Sequence, residues 1–210
     1  MVVFSASMDR APSTITAPTK YDKVYIVGDS RSVDTKKALD ESIPLNVEFI
    51  AKGSQGLEWF KSTAYKTLLA AVSSQPKSEC KAVIINLGVN DLQKSSDYVK
   101  YMKKVASKLK QYNCKMYYLS INPVNSAMIT RQKKYKARTE TQVAAFNKKI
   151  YKELCTGKNK CFTYINSCSY LQKNGWCSNR YNSGIYDGLH YSNETYLRIF
   201  NYYMKYLNRN

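Results

Sequence analysis

A chain of 210 residues with 44% hydrophobic and 13% aromatic residues is long enough to bury a sizeable core, so it should be globular. No stretch approaches the ~20 consecutive apolar residues of a membrane-spanning helix. The 33 Lys and Arg against 15 Asp and Glu give a net charge of +18, which implies long-range attraction to anionic partners.

The basic charge leaves several partners open. A cell-wall polymer, an acidic polysaccharide, a membrane surface and nucleic acid all attract such a chain, and a basic surface that only aids solubility fits equally well. The dense cluster QKKYK at 132–136 comes without zinc-finger spacing or an RNA-recognition signature. We therefore expect no specific nucleic-acid partner, and an anionic polymer remains a candidate.

The first 20 residues are rich in Ser, Thr, Pro and Ala and predict a flexible N-terminal arm over 1–20. They lack the basic start and long apolar run of an intact signal peptide. A chain that begins after a removed signal has this appearance. The remaining residues, 21–210, show no repeat or long linker and predict a single domain.

Five short apolar runs rich in β-branched and aromatic residues predict strands. They lie at 23–28, 46–51, 82–87, 116–121 and 162–166. Their near-continuous apolar character is typical of strands that are buried on both faces. Helical periodicity separates them at 33–41, 57–73, 97–109 and 141–154 and follows them at 193–208, with Ser192 or Asn193 as the N-cap of the last helix.

The alternation of strands and helices predicts a three-layer α/β/α domain with a parallel sheet. Right-handed crossovers then place the carboxyl ends of all strands at one edge, where ligands of such folds bind. The segments just after the strands are therefore the place to look for function. Gly28-Asp29-Ser30 follows the first strand, Lys52 to Gly56 follows the second, and Gly88 to Asp91 follows the third, while Asp187 to His190 precedes the last helix.

These segments carry the residue types that acyl transfer needs. Ser30 in a tight strand-to-helix turn is a candidate nucleophile, and it requires a base. His190 is the only histidine, and Asp187 stands three residues before it, close enough to orient the ring. The backbone N–H groups of Ser30 and Gly56 and the side-chain amide of Asn90 could bind an oxyanion.

Each of these segments has a plainer interpretation when it is taken alone. Ser30 could merely cap the helix that follows, Asn90 and its neighbour could form a loop turn, and His190 could be a surface residue. Their joint occurrence in this chain order favours the catalytic interpretation.

The four segments together resemble the motifs of the SGNH hydrolases, also called the GDSL-like lipase/esterase family. The blocks are GDS at 28–30, a glycine-bearing block that ends at Gly56, GxND at 88–91 and DxxH at 187–190. The resemblance implies a flavodoxin-like, doubly wound five-stranded sheet and ester hydrolysis through an acyl-serine, without metal or cofactor. It implies Ser30 as nucleophile, Asp187 and His190 as its partners, and Ser30, Gly56 and Asn90 as the oxyanion hole.

The sequence departs from the family pattern at two blocks. Arg31 stands where the family name has leucine, which predicts a cation close to the site and a polar or anionic substrate. In the second block the leading asparagine is missing, and Gly53 competes with Gly56 for the oxyanion role. The spacing AKGSQG favours Gly56. The aromatic stretch before Asp187 adds Trp176 and Tyr186 to Arg31 as candidate substrate contacts, beside Tyr181 and Tyr191, unless these rings only pack the loop.

The six cysteines form no CxxC motif, and with a single histidine a zinc site is not expected. An even number suits disulfides in an exported protein. The simplest pairs are Cys80–Cys114, Cys155–Cys161 and Cys168–Cys177, and reduced cytosolic thiols are the alternative.

The leading hypothesis is an extracytoplasmic serine esterase that removes short acyl groups, most plausibly acetyl, from a carbohydrate or cell-wall glycan. The alternatives are a lysophospholipase or thioesterase of the same fold, and a non-catalytic glycan-binding module.

Overall fold

A parallel sheet of five strands forms the centre of the molecule in the computed structural model, which describes residues 14–132 and 135–209. The strands are β1 (Lys23–Gly28), β2 (Val47–Ala51), β3 (Lys81–Asn86), β4 (Cys114–Leu119) and β5 (Thr163–Ile165). Their order in the sheet is β2-β1-β3-β4-β5, the flavodoxin-like doubly wound order. The expected fold is thereby confirmed: β1 has the predicted bounds, and the other four strands differ from them by one or two residues.

Two helical layers cover the sheet. The helices are α1 (Ser30–Leu39), α2 (Leu57–Trp59), α3 (Tyr65–Ser73), α4 (Ser95–Leu109), α5 (Ser126–Arg131), α6 (Glu140–Leu154), α7 (Ser167–Asn174) and α8 (Asn193–Arg209). A π-helical stretch, Phe60–Ala64, joins α2 to α3, and 3-10 turns lie at Asp40–Ser42, Leu92–Lys94 and Lys110–Tyr112. A two-stranded antiparallel hairpin, β6 (Asn179–Arg180) with β7 (Ile185–Tyr186), precedes the last helix.

The alternation of side chains along the strands builds two cores. In β1, Tyr25 and Val27 point to the core that α3, α4 and α6 cover, whereas Val24 and Ile26 point to the core that α1 and α8 cover. Because both faces of the strand are buried, its apolar run is continuous. Among the described residues, no helix has the length and the apolar character to cross a membrane.

The helix that follows the first strand begins earlier than its periodicity predicts. Asp29 is the N-cap, and its carboxylate accepts a hydrogen bond of 3.0 Å from the backbone N–H of Arg31. Ser30 is therefore the first helical residue rather than the cap. The short helices α5 and α7 and the hairpin escape sequence reasoning because segments of two to eight residues carry no readable period.

The N-terminal arm expected over 1–20 lies mostly outside the described residues. Its described part is hydrogen bonded to the last helix. Asn201 accepts from the N–H of Thr16 and donates to the carbonyl of Thr14, and Asn208 makes the same pair of contacts with Thr19 and Ala17.

The predicted disulfides are not formed in this structure, in which Cys80, Cys114, Cys155, Cys161 and Cys168 carry free thiols. Burial makes two of these thiols poorly reactive. Burial raises the pKa of Cys114 to about 11 and that of Cys155 to about 12. The thiolate that thiol–disulfide exchange requires is therefore scarce at these positions at neutral pH.

Candidate active site

The carboxyl ends of β1, β2 and β3 bring three of the four sequence blocks to one edge of the sheet. Gly28 ends β1 and pairs with Ala51 of β2 on one side and with Asn86 of β3 on the other. The chain cannot carry a side chain at position 28, because a Cβ there would lie 2.0 Å from the hydroxyl of Ser32. This close approach places Ser30 at the point where the strand order reverses.

Ser30, His190 and Asp187 form a continuous hydrogen-bonded chain. The Ser30 Oγ lies 2.8 Å from His190 Nε2, and His190 Nδ1 lies 2.7 Å from Asp187 Oδ2. A carboxylate only accepts, so the Nδ1–H of the ring donates to Asp187. In the neutral ring Nε2 is then the acceptor, and the Ser30 hydroxyl donates to it. The three predicted residues therefore stand in the geometry of a nucleophile, a base and an orienting acid.

The carboxylate of Asp187 is held by the turn it begins. Its Oδ1 accepts from the backbone N–H groups of Leu189 at 2.9 Å and His190 at 2.8 Å. Burial alone would raise the pKa of Asp187, but hydrogen bonds from the side chain and backbone of His190 and from Leu189 lower it to about 2. Asp187 is therefore ionised at neutral pH, and its negative charge can stabilise a positive charge on the His190 ring.

The glycine of this turn is required by its backbone. Gly188 has a φ of +75°, and a Cβ there would lie 2.5 Å from the carbonyl oxygen of Asn125. The carbonyl of Gly188 in turn accepts a hydrogen bond of 2.8 Å from the N–H of Asn125. The loop after β4 and the DGLH turn are thus fastened to each other by backbone contacts.

Tyr135 is a site residue that sequence reasoning missed. Its hydroxyl donates to Asp187 Oδ2 at 3.1 Å, and its ring centroid lies 6.3 Å from that of His190. Burial and the Asp187 charge raise the pKa of Tyr135, which keeps it a donor. In the sequence, Tyr135 lies within the basic cluster QKKYK. That cluster indicated a positively charged surface and did not indicate that its tyrosine belongs to the active site.

The second and third blocks are tied together by Asp91. One carboxylate oxygen accepts from the N–H of Leu57 at 2.8 Å, and the other accepts from the Tyr98 hydroxyl at 2.8 Å. A Cβ on Gly56 would lie 2.4 Å from this carboxylate, whereas a Cβ on the exposed Gly53 would meet nothing within 4 Å. Ser30 and Gly56 stand at helix starts, where backbone N–H groups have no partner within the helix.

Arg138 fixes the orientation of the Asn90 amide. Its guanidinium donates to Asn90 Oδ1 at 2.8 Å, while Asn90 Nδ2 donates to the carbonyl of Gln55 at 2.8 Å. A guanidinium only donates and a carbonyl only accepts, so the amide cannot be flipped. One of the two hydrogens on Nδ2 remains for another acceptor. Arg138 is buried and also donates to the carbonyl of Val89 at 2.6 Å. Sequence reasoning missed this role, because no motif includes Arg138.

The prediction that Arg31 contacts substrate is wrong. Its side chain is 3% exposed, and its guanidinium donates to the carbonyls of Leu189 (3.0 Å), Asn122 (2.9 Å) and Pro123 (3.1 Å). The guanidinium carbon also lies 4.9 Å from the ring centre of buried Tyr191. The N–H groups of a buried guanidinium must be hydrogen bonded within the protein. Arg31 therefore connects α1, which begins at Ser30, to the segment that carries His190.

The aromatic residues proposed as substrate contacts separate into two groups. Tyr191 is fully buried and Trp176 packs edge-on against it, with ring centroids 5.3 Å apart, so both belong to the core on the α8 side. Tyr181 donates to the buried carboxylate of Asp34. Tyr186 is 49% exposed on β7, directly before Asp187, and stays a predicted substrate contact.

Asp29, between the glycine and the serine of the first block, predicts a pH-dependent stability. Burial raises its pKa from 3.8 to about 6, although the N–H of Arg31 and the charges of Arg31, His190 and Arg138 oppose this. Because its pKa is higher in the folded state, the stability that neutral Asp29 contributes is present below about pH 4 and is lost as pH rises through about 6.

We expect Asp29→Asn to gain stability relative to wild type as pH rises from 4 to 8, by roughly 2–3 kcal/mol in the free energy of unfolding. Asparagine keeps the cap and does not titrate. Urea denaturation at pH 4, 6 and 8 measures the effect. The exposed Asp40→Asn is the matched control. A difference between Asp29→Asn and wild type that does not change with pH would contradict the argument.

A doubly wound parallel sheet with hydrogen-bonded Ser, His and Asp side chains at the carboxyl ends of its strands is typical of hydrolases with a flavodoxin-like fold. The model of the GDSL-like lipase/acylhydrolase family matches residues 24–203. The chain therefore belongs to the GDSL-like lipase/acylhydrolase family and is an ester hydrolase.

Solved structures show the same fold at low sequence identity. A GDSL-like lipase from Bacteroides thetaiotaomicron is 16% identical, with a TM-score of 0.64 over 92% of each chain. An acetyl xylan esterase, AlAXEase, is 16% identical, with a TM-score of 0.57 over 88% of this chain and 98% of that one. The catalytic domain of a Streptococcus pneumoniae peptidoglycan O-acetyltransferase is 16% identical, with a TM-score of 0.52 over 89% and 90%. No curated protein matches the chain.

Proposed function

We propose that this protein is a serine esterase that removes acetyl groups from a carbohydrate or cell-wall glycan outside the cytoplasm. The observation that carries the catalytic part is the chain of hydrogen bonds from Ser30 through His190 to Asp187. Two proteins of the same fold, an acetyl xylan esterase and a peptidoglycan O-acetyltransferase, bear names that support the acetyl and glycan parts.

In the proposed mechanism, Ser30 Oγ bonds to the ester carbonyl carbon while His190 Nε2 takes the hydroxyl proton. The resulting oxyanion is bound by the N–H groups of Ser30 and Gly56 and by the free hydrogen on Asn90 Nδ2. His190 gives its proton to the leaving alcohol as the C–O bond breaks. Water then attacks the acyl-serine by the same route, which releases the carboxylic acid and restores Ser30.

The substrate side of the proposal rests on exposed groups near the site. Tyr186 offers an aromatic face next to Asp187, and such faces pack well against sugar rings. Gln55 and Asn90 are partly exposed and add polar groups beside the site. An extracytoplasmic location follows from the glycan substrate, and the free thiols add no support to it.

We expect kcat/KM on p-nitrophenyl esters to be highest for acetate and to fall at least about tenfold by octanoate, because one poorly accommodated methylene costs about 1 kcal/mol or more. Acetate release from acetylated xylan and from O-acetylated peptidoglycan would identify the glycan. A maximum at long chains would instead indicate a lysophospholipase or thioesterase. Glycan binding without hydrolysis of any ester would indicate a non-catalytic module.

A further inference from the structure

A groove lined by lysines lies at the end of the sheet opposite Ser30. It has a volume of about 900 Å³, and its walls include Lys20, Lys103, Lys110, Lys115 and Lys160. All five lysines are exposed. The residues that line it and that the structure describes include no Asp, Glu or Arg. Lys104 and Lys108 of α4 border an adjoining depression that shares Lys103 with the groove, so the basic surface is continuous.

The charge of this groove is nearly uncompensated by neighbouring side chains. Lys103 pairs with Glu153 at 3.9 Å, and both side chains are more than 40% exposed, so the pair contributes little. The other four lysines have no ion pair within the part of the chain that the structure describes. Like charges held around one groove repel each other, and an anionic ligand relieves that repulsion.

The position of the groove separates it from the chemistry. Cys114 and Thr163, the first residues of β4 and β5, form part of its wall, so it lies at the amino ends of the strands. Ser30 follows the carboxyl end of β1, and a six-residue strand spans about 20 Å. A polymer bound in the groove therefore leaves the ester site open.

The side chains that line the groove favour some polyanions over others. The aromatic rings at the groove, Tyr21, Tyr117 and Phe162, are each at most 4% exposed, and the hydroxyls of the two tyrosines bond to each other. Among the described residues that line the groove, no aromatic face is available for a base to stack on, and such stacking is what single-stranded nucleic acid uses. Lysine ammonium groups act as point charges that suit repeating carboxylates or phosphates without a fixed geometry.

We propose that this lysine groove is a second binding site, which holds an anionic polysaccharide while Ser30 acts on esters. The inference rests on the proposed function for the choice of polysaccharide over other polyanions. Binding at a site separate from Ser30 raises the local concentration of ester groups on the bound polymer.

The test compares two triple variants that lower the net charge equally. Lys103→Gln/Lys110→Gln/Lys115→Gln alters the groove, and Lys66→Gln/Lys173→Gln/Lys205→Gln alters exposed lysines elsewhere. Binding of fluorescently labelled oligogalacturonate is measured by anisotropy across a series of salt concentrations. We expect the groove variant to lose at least about tenfold in affinity and roughly two to three units of salt slope, and the control to lose less than about threefold.

Several outcomes would overturn the proposal. Equal losses in both variants would show that only net charge matters, and tighter groove-dependent binding of oligo-dT than of oligogalacturonate would reassign the partner to nucleic acid. The groove variant should hydrolyse p-nitrophenyl acetate at the wild-type rate, and a lower rate would place the groove in the ester site. Failure of wild type to hydrolyse esters would refute the proposed function but leave the binding result intact.

Discussion

Ser30→Ala is expected to lower kcat for p-nitrophenyl acetate by about 10⁴- to 10⁶-fold, because no other group in the site can form the acyl intermediate. His190 would retain its bond to Asp187 but lose the hydroxyl that now lies 2.8 Å from Nε2. The side chain of Ser30 is half-buried and makes no other hydrogen bond among those described, so the fold should tolerate alanine.

Two measurements test whether the loss of activity is specific to Ser30. Ser62→Ala, an exposed serine on the π-helical stretch, is the matched control and should leave kcat unchanged. Mass spectrometry of the wild-type protein with a slow acetyl donor should find the acetyl group on the peptide that contains Ser30. Activity of Ser30→Ala equal to that of wild type, or acyl label on another residue, would refute the assignment of the nucleophile.

Asn90→Ala is expected to lower kcat by about 10²- to 10³-fold, because it would remove one of the proposed donors to the oxyanion. Arg138→Met should lower kcat by about 10- to 100-fold, since the amide of Asn90 then loses the donor 2.8 Å from Oδ1 that prevents its rotation. Arg138 acts through Asn90, so it is a positioning residue. KM should change little in either variant, because the oxyanion forms only after substrate has bound.

The double variant separates positioning from general destabilisation. If Arg138 works through Asn90, Asn90→Ala/Arg138→Met should lose about as much kcat as Asn90→Ala alone. Arg198→Met removes a guanidinium that donates to the carbonyls of Asn174 and Gly175, and serves as the control. Additive losses of kcat in the double variant would contradict the positioning role.

Most of the fold could be predicted from the sequence because its signals are local. A strand buried on both faces has an apolar run, and an amphipathic helix repeats its apolar residues every three or four positions. Those signals located all five strands of the sheet and most of α1, α3, α4, α6 and α8. They failed at α5, at α7 and at the hairpin, where the segments are too short for any period to appear.

The candidate triad was also accessible from the sequence, for a different reason. Few residue types can act as nucleophile and base, and the chain has a single histidine, in DGLH. The predicted topology already placed Ser30, Gly56 and Asn90 at one sheet edge. What remained open was whether the DGLH turn reaches that edge, and only the distance of 2.8 Å between Ser30 and His190, 160 residues apart, answers this.

The sequence by itself therefore determined the strands, the main helices and the residue types at the sheet edge, since each follows from neighbours along the chain. Only the tertiary structure decided what Arg31, Tyr135 and Arg138 do. The partners that define these roles, Leu189, Asp187 and Asn90, lie 158, 52 and 48 residues away. Whether a cation meets solvent or a buried carbonyl depends on which loops pack around it. Arg31 is the clearest case. Its charge and its place beside Ser30 suggested a contact with substrate, but the side chain is buried and hydrogen bonds to backbone carbonyls of the protein.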